Sequence, residues 1–402
     1  MSERGTFAKA SVRDAPLEGA RVLARVDFNV PLAESDGAVT IADDTRIRAA
    51  LPTIELLLEH AESVVVVSHL GRPKDREPEL SMAPVAERLA ELAGIEAPLA
   101  PGVVGSEVER AAAELGEGEA LVLENSRYEP GETENDPALA AALARLADLY
   151  VDDAFGAAHR AHATTVGVAE LLPGYAGLLL EREVRELTAV RDNPERPLCV
   201  VLGGAKVSDK IGVIDRFLDT ADSILIGGAM CFAFFRARGI ETGESLVEEE
   251  GIALAERVLE RAEASDCELH LPSDLVLGHE FSADTEVREL DGVHVPEGWM
   301  GLDVGPTTAD EYAAVIGDAG TVFWNGPMGA FELEPFSAAT RRVAEAVAEA
   351  DGFTVVGGGD SAAALTAFGL ADRVDWLSTG GGASLELLEG KELPGVEVLT
   401  DA

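Results

Sequence analysis

Leu198-Cys199-Val200-Val201-Leu202-Gly203-Gly204-Ala205-Lys206-Val207-Ser208-Asp209-Lys210 decides the fold. Five apolar residues run without alternation, stop at two glycines, and give way to a polar turn and a stretch at helical period. A short strand with no polar face is buried on both sides, which is the habit of parallel sheets covered by helices. The same grammar recurs along the chain. It predicts strands at Arg21–Asp27, Ser63–Ser68, Ala120–Glu124 and Leu149–Asp152, and then at Leu198–Leu202, Ser223–Ile226, Thr321–Trp324, Phe353–Val356 and Val374–Leu377. Ala/Leu/Glu-rich amphipathic stretches separate them, so the expected class is α/β with parallel sheets covered by helices. A long helix is expected near Leu178–Arg191, and Pro194 and Pro197 interrupt the pattern after it. With 402 residues, this reads as a junction between two domains.

Ligands of open α/β sheets bind outside the carboxyl ends of the strands. In the first half those ends carry Asp27-Phe28-Asn29, Ser68-His69-Leu70-Gly71-Arg72, Glu124-Asn125-Ser126-Arg127 and Asp152-Asp153-Ala154-Phe155-Gly156, the last leading into His159-Arg160-Ala161-His162. Arg46, Arg72, Arg127 and Arg160 thus gather with three histidines at one edge. Guanidinium forks bind carboxylate and phosphate in bidentate fashion, so the expected ligand is a small polyanion. Any one of these arginines alone reads equally well as a surface ion-pair partner; four at strand ends do not.

In the second half the ends are Gly203–Lys210, Gly227-Gly228-Ala229-Met230, Trp324-Asn325-Gly326-Pro327, Gly357-Gly358-Gly359-Asp360-Ser361 and Ser378-Thr379-Gly380-Gly381-Gly382-Ala383-Ser384. Glycine lets backbone N–H groups approach a phosphate, and the helix start behind it favours the charge. One such loop is commonplace packing. Several around one edge point to a nucleotide phosphate chain, within reach of Lys206 and Lys210, one helical turn apart. Asp360 has two readings, a magnesium ligand beside phosphate oxygens or a helix N-cap carboxylate. A Gly-x4-Gly-Lys-Ser/Thr loop, a His-Glu-x-x-His helix and a Gly-x-Ser-x-Gly elbow are all missing from the chain.

Charge narrows the partners. The chain has 74 acidic and 31 basic side chains and a formal charge of −43. A phosphodiester backbone or an anionic bilayer would be repelled over most of such a surface, so neither nucleic acid nor membrane is expected as a partner. Three cysteines without a Cys-x-x-Cys pair offer neither a disulfide framework nor a zinc ribbon. The start lacks an apolar signal region and no apolar run is long enough to span a bilayer, so a soluble cytoplasmic protein is expected. Only five of the 31 basic residues are lysine (Lys9, Lys74, Lys206, Lys210 and Lys391), and two of those five sit in one glycine loop.

Taken in order, these segments resemble the phosphoglycerate kinase family nearly end to end. The resemblance is carried by Arg25-Val26-Asp27-Phe28-Asn29-Val30-Pro31, Asp44-Thr45-Arg46-Ile47, Ser68–Pro73, Glu124–Tyr128, Phe155–His162, Gly203–Lys210, Trp324–Glu332, Gly357–Ser361 and Ser378–Leu388. It implies two Rossmann-like domains facing each other across a cleft and joined by the mid-chain helix, with boundaries expected at 1–180, 181–384 and a returning segment 385–402. It implies 3-phosphoglycerate or 1,3-bisphosphoglycerate on Asp27, Asn29, Arg46, His69, Arg72, Arg127 and Arg160, with Phe28, Leu70 and Gly71 in the same loops. ADP or ATP is implied on Lys206, Lys210, Gly228, Asn325, Glu332, Gly358, Gly359, Asp360 and Ser361, with Glu332 at the ribose and Mg2+ on Asp360. Arg46 and Lys206, helped by the N–H groups of Gly358 and Gly381, are expected to meet the phosphoryl group in flight. A monomer is implied. Ala229, Ala233 and Tyr128 stand where the family commonly has glycine, threonine and phenylalanine, and none of the three is a charged site residue.

Two other classes fit less well. A non-catalytic anion-binding module would be expected to have lost Arg46, Lys206 or Asp360, and all three are present. A dehydrogenase would carry Gly-x-Gly-x-x-Gly after its first strand, where this chain has none.

Self-repulsion at this charge density opposes a compact state in dilute buffer and is screened to a length of about 3 Å near 1 M salt. The expectation is a protein of a salt-rich, halophilic cytoplasm. Circular dichroism and activity followed from dilute to multimolar KCl should show folding and turnover rising together with salt. Full folding and activity in dilute buffer would contradict it.

Overall fold

The computed structural model describes residues 7–35 and 38–402. They form two compact units. One holds the described residues up to Arg185 together with Glu392–Ala402, and the other holds Glu186–Lys391. The division falls inside the helix Leu178–Asp192.

In the first unit the strands are β1 (Arg21–Arg25), β2 (Leu32–Ser35), β3 (Ala38–Ile41), β4 (Ser63–Val67), β5 (Glu119–Val122), β6 (Leu149–Asp152) and β7 (Gly174–Ala176). β2 and β3 pair as a small antiparallel ribbon. The other five make one parallel sheet in the order β5-β4-β1-β6-β7. Every residue of β4 and β6 is buried, and Val22, Val64, Val66, Val122 and Val151 join Ile47, Ile54 and Leu57 of the helix Thr45–His60 in one core. The chain end closes this unit. Ala10 N–H donates to Thr400 O at 2.7 Å, Thr400 N–H to Gly174 O at 3.0 Å, and Gly395 N–H to Ala158 O at 2.9 Å.

The second unit contains β8 (Leu198–Leu202), β9 (Ser223–Ile226), β10 (Glu268–His270), β11 (Leu275–Gly278), β12 (Arg288–Leu290), β13 (Met300–Val304), β14 (Thr321–Asn325), β15 (Phe353–Gly357) and β16 (Trp376–Leu377). Six of them form a parallel sheet in the order β10-β9-β8-β14-β15-β16, and β12-β11-β13 form an antiparallel sheet of their own. The core packs Val201, Val322, Trp324 and Val356 against the helices Pro306–Gly317 and Ala338–Glu349. Trp324 is fully buried, and its indole N–H donates to Gly326 O at 2.8 Å.

All nine strands expected from sequence are present, each within two residues at either end. The remaining seven were unexpected, and the antiparallel sheet is the largest omission. Both parallel sheets begin in the middle and reverse direction beside their first strand, between β1 and β6 and between β8 and β14. At that reversal the following connections leave on opposite faces, which opens a crevice outside the carboxyl ends.

The second crevice is made of backbone in contact with backbone. A Cβ on Gly203 would lie 2.0 Å from Pro327 O, and one on Gly228 2.5 Å from Gly204 N. Replacing Gly203 with alanine should therefore lower the urea midpoint with little change in m, at a cost of about 1–3 kcal/mol or more. Gly317→Ala, at the exposed end of its helix with nothing within 4 Å of the new Cβ, should hold or raise the midpoint. Equal behaviour of the two variants would contradict the packing account.

Candidate active site

At the first crevice, β1 ends in Arg25, and Val26, Asp27 and Phe28 follow it directly. Asp27 Oδ2 accepts from Arg46 Nη1 at 2.6 Å, and Asp27 Oδ1 accepts from Asn29 N–H at 3.2 Å. Arg46 is the second residue of the helix Thr45–His60, whose first turn has no acidic residue. A cation there opposes the helix dipole. The Asp27 pair offsets that local cost and leaves the guanidinium one-third exposed. Burial raises the Asp27 carboxyl, but the charges of Arg46 and Arg25, with the Asn29 N–H, hold it below the usual carboxylate range.

Arg25 is wholly buried, and Arg25 Nη2 lies 3.0 Å from His69 Nδ1. Burial, aided by Arg25, Arg127 and Arg46 and opposed by Asp27, holds the His69 imidazole neutral, well below its usual pKa. Arg127 donates through Nη1 to Gly71 O, while its buried Nε meets no hydrogen-bond partner. Burial, then Arg25 and Arg160, lowers the Arg127 pKa, and Arg72 adds to the effect. Three neighbouring guanidiniums, Arg25, Arg160 and Arg72, thus disfavour the charge on Arg127, and Glu132 partly offsets them. Arg72 and Arg160 are exposed, and Arg160 Nε donates to His159 Nε2 at 3.0 Å. His162 is buried and lowered to about 4, by burial and then by Arg127.

Not every expected residue offers a free group. Phe28 N–H donates to Ser68 Oγ at 2.9 Å, Leu70 N–H to Asn125 Oδ1 at 3.1 Å, and Gly71 N–H to Asn29 Oδ1 at 2.8 Å. These three shape the loops, with Gly71 at a φ of 62° that favours glycine. Arg25, the last residue of β1, belongs to the cluster although it is not among the expected site residues.

At the second crevice the glycine turns are stitched together. Gly203 N–H donates to Asn325 O at 3.0 Å, Gly204 N–H to Pro327 O at 3.1 Å, and Gly228 N–H to Met328 O at 2.8 Å. Asn325 is buried and accepts from Lys210 Nζ. Burial lowers the Lys210 ammonium to about 8, against the opposing pull of Asp209 and Asp360. Lys206 is exposed on the same loop. Gly358 is the N-cap of the helix Gly359–Ala367, so Asp360 stands in the first turn and makes no capping bond. The capping reading of Asp360 is thereby corrected, and its carboxylate stays exposed at the mouth. Ser361 is fully buried and accepts from Gly326 N–H at 2.6 Å, so it braces the loop. Gly381 caps the helix Gly382–Leu388 with φ 53°.

Beside these loops lies a cavity of about 800 Å³, lined by Gly204, Gly228, Glu332 and Asp360 and walled by Phe232, Leu275, Met300 and Phe331 among others. Apolar walls and glycine turns share one continuous space, with Glu332 exposed on its rim. Nothing in the sequence separated those wall residues from ordinary core.

Comparison with known proteins agrees with this geometry. The family model described as phosphoglycerate kinase matches residues 12–391. The phosphoglycerate kinase of Rubrobacter xylanophilus is 54% identical over 394 residues, covering 98% of each chain. That of Thermosipho africanus is 52% identical over 393 residues, covering 96% of this chain and 97% of its own. The structure of phosphoglycerate kinase from Coxiella burnetii superposes with a TM-score of 0.84 at 39% identity, covering 97% of this chain and 98% of that one.

Lys210 makes the expectation of a nucleotide at the second crevice testable by pH. A phosphate binds the protonated amine, so affinity for magnesium ADP should be level below about pH 7.5 and fall as pH rises through about 8. Calorimetry between pH 7 and 9.5 reads this, and Lys210→Arg, which keeps its proton, should abolish the fall. A native affinity that stays flat to pH 9.5 would contradict it.

Proposed function

The chain belongs to the phosphoglycerate kinase family, and we propose that its two crevices are the two halves of that kinase's site. It is a glycolytic phosphotransferase that moves a phosphoryl group reversibly between 1,3-bisphosphoglycerate and ADP, giving 3-phosphoglycerate and ATP. The observation that carries the assignment of halves is the separation of chemistries. The first unit gathers Arg25, Arg46, Arg72, Arg127 and Arg160 around Asp27 and His69, and the second pairs glycine turns with an apolar cavity.

Phosphoryl transfer asks a protein for alignment and charge neutralisation more than for covalent chemistry. In this reading Arg127, Arg72 and Arg160 hold the phosphate and carboxylate of the glycerate. Asp27 keeps Arg46 aimed along the helix start, and Asn29 shares the same loop. Phe232, Leu275 and Met300 enclose the base, Glu332 meets the ribose, and Lys210 and Lys206 meet the phosphates. Arg46 and Lys206 take the charge of the group in flight, with the N–H groups of Gly358 and Gly381 beside it. Each unit supplies part of that set, so in-line transfer follows once both parts enclose one phosphoryl group and exclude water.

Asp360 suits magnesium. It is an exposed carboxylate with no capping bond beside a phosphate-type loop, and no group of three or more His, Cys, Asp or Glu able to hold a metal is found among the described residues. One carboxylate plus phosphate oxygens is the usual magnesium arrangement, and the ion would neutralise phosphate charge. A cytoplasmic, monomeric enzyme of a salt-rich cell completes the proposal, and the −43 charge supports the salt-rich setting.

Arg46→Ala should lower kcat by about 10²–10⁴, at or below the range for arginine fingers, with a thermal midpoint near the native one. A near-native kcat would remove Arg46 from the mechanism.

A further inference from the structure

Beneath the arginines of the first unit lies a buried polar chain that none of the expected site residues accounts for. Glu132 is 0% exposed. Glu132 Oε1 accepts from Thr164 Oγ1 at 2.6 Å, and Glu132 Oε2 accepts from Thr164 N–H at 3.1 Å. Thr164, also 0% exposed, accepts from Arg25 Nε at 2.9 Å through the same hydroxyl. Arg25 Nη1 donates to Val26 O, and Arg25 Nη2 stands 3.0 Å from His69 Nδ1.

The direction of every link is fixed by the ends. Guanidinium can only donate, and a carboxylate can only accept. The Thr164 hydroxyl must therefore give its proton to Glu132 and offer its lone pairs to Arg25. His69 Nδ1 must accept, which places the imidazole proton on Nε2. That atom has no hydrogen-bond partner among the described residues, and His69 sits with Asp27, Arg46 and Arg127 in one electrostatic cluster.

We propose that Glu132 is a positioning residue for the phosphoglycerate half-site, acting through Thr164 and Arg25 to hold His69 as a neutral Nε2–H donor toward the bound anion. The inference rests on reading this cluster as the phosphoglycerate half-site. It explains why a carboxylate is buried close to a site that must stay positive: Glu132 spends its charge on the hydroxyls of Thr164 and Ser126 and on the Thr164 amide, and reaches the Arg25 guanidinium only through a neutral intermediary. A direct Glu132–Arg25 ion pair would cancel charge the substrate needs.

Thr164→Val removes the hydroxyl and keeps the volume, and Thr164→Ser restores the hydroxyl. Thr164→Val should raise the KM for 3-phosphoglycerate about ten- to a hundredfold, the range seen when the outer partner of a ligating histidine is removed. The KM for ATP should stay within about twofold, and Thr164→Ser should return the glycerate KM close to native. Nitrogen-15 NMR of labelled histidine should show His69 as the Nε2–H tautomer in the native protein and a mixture in Thr164→Val. If Thr164→Val does not fold, Glu132→Gln, which keeps shape and an acceptor oxygen, should still raise the glycerate KM. A native glycerate KM in the folded variants, an equal rise for both substrates, or an Nδ1–H tautomer in the native protein would overturn the proposal. Calorimetry separates the two levels: native protein that fails to bind 3-phosphoglycerate overturns the half-site reading and the inference with it. Native binding left unchanged by Thr164→Val overturns the inference alone.

Discussion

Like charges repel, and this chain must hold two polyanions while carrying a formal charge of −43. The way its arginines are anchored answers that constraint. Across the surface they are spent on carboxylates: Arg21 on Asp148, Arg88 on Asp44, Arg261 on Asp215, Arg342 on Asp310. At the first crevice most are held by neutral acceptors. Arg25 rests on a carbonyl, a hydroxyl and an imidazole, Arg127 on the carbonyl of Gly71, and Arg160 on His159. Neutral acceptors fix the direction of a guanidinium without cancelling its charge. Arg46 instead takes a carboxylate, and its place at a helix start needs one.

Sheet topology makes such a concentration of cations possible. Loops that are distant in sequence reach one edge because each parallel sheet starts at its centre and reverses there. In the second unit the approach is so close that Gly203, Gly228 and Gly326 leave no room for a side chain. Their N–H groups are spent on holding the turns together. In the proposed reading, phosphate contacts therefore fall to Lys206, Lys210 and the helix start behind Gly358.

Much of this was legible because the informative residues announce themselves. Runs such as Leu198–Leu202 have only one comfortable environment, and glycines or arginines at their ends have few reasons to be there. The unexpected elements lack such marks. β10 and β12 are three residues long and partly exposed, and β13 mixes Gly301 and Asp303 into its run, so no window of sequence shows a period. Phe232, Leu275 and Met300 line the cavity yet have the chemistry of core residues, and only three dimensions separate the two. Asp360 illustrates a different limit: the sequence places a carboxylate near a helix start, but which residue is the cap depends on the φ of 92° at Gly358. Glu132 and Thr164 carry no motif at all, since their meaning lies in contacts made 32 residues apart.

The central claim is that the two crevices serve one reaction, so neither substrate should turn over alone. The most direct test is the steady-state rate of ATP consumption by the native protein in molar KCl with magnesium, measured with and without 3-phosphoglycerate. Consumption that saturates in both substrates and vanishes when 3-phosphoglycerate is left out is the predicted result. ATP hydrolysis indifferent to 3-phosphoglycerate, or no turnover with both present and the protein folded, would contradict the account.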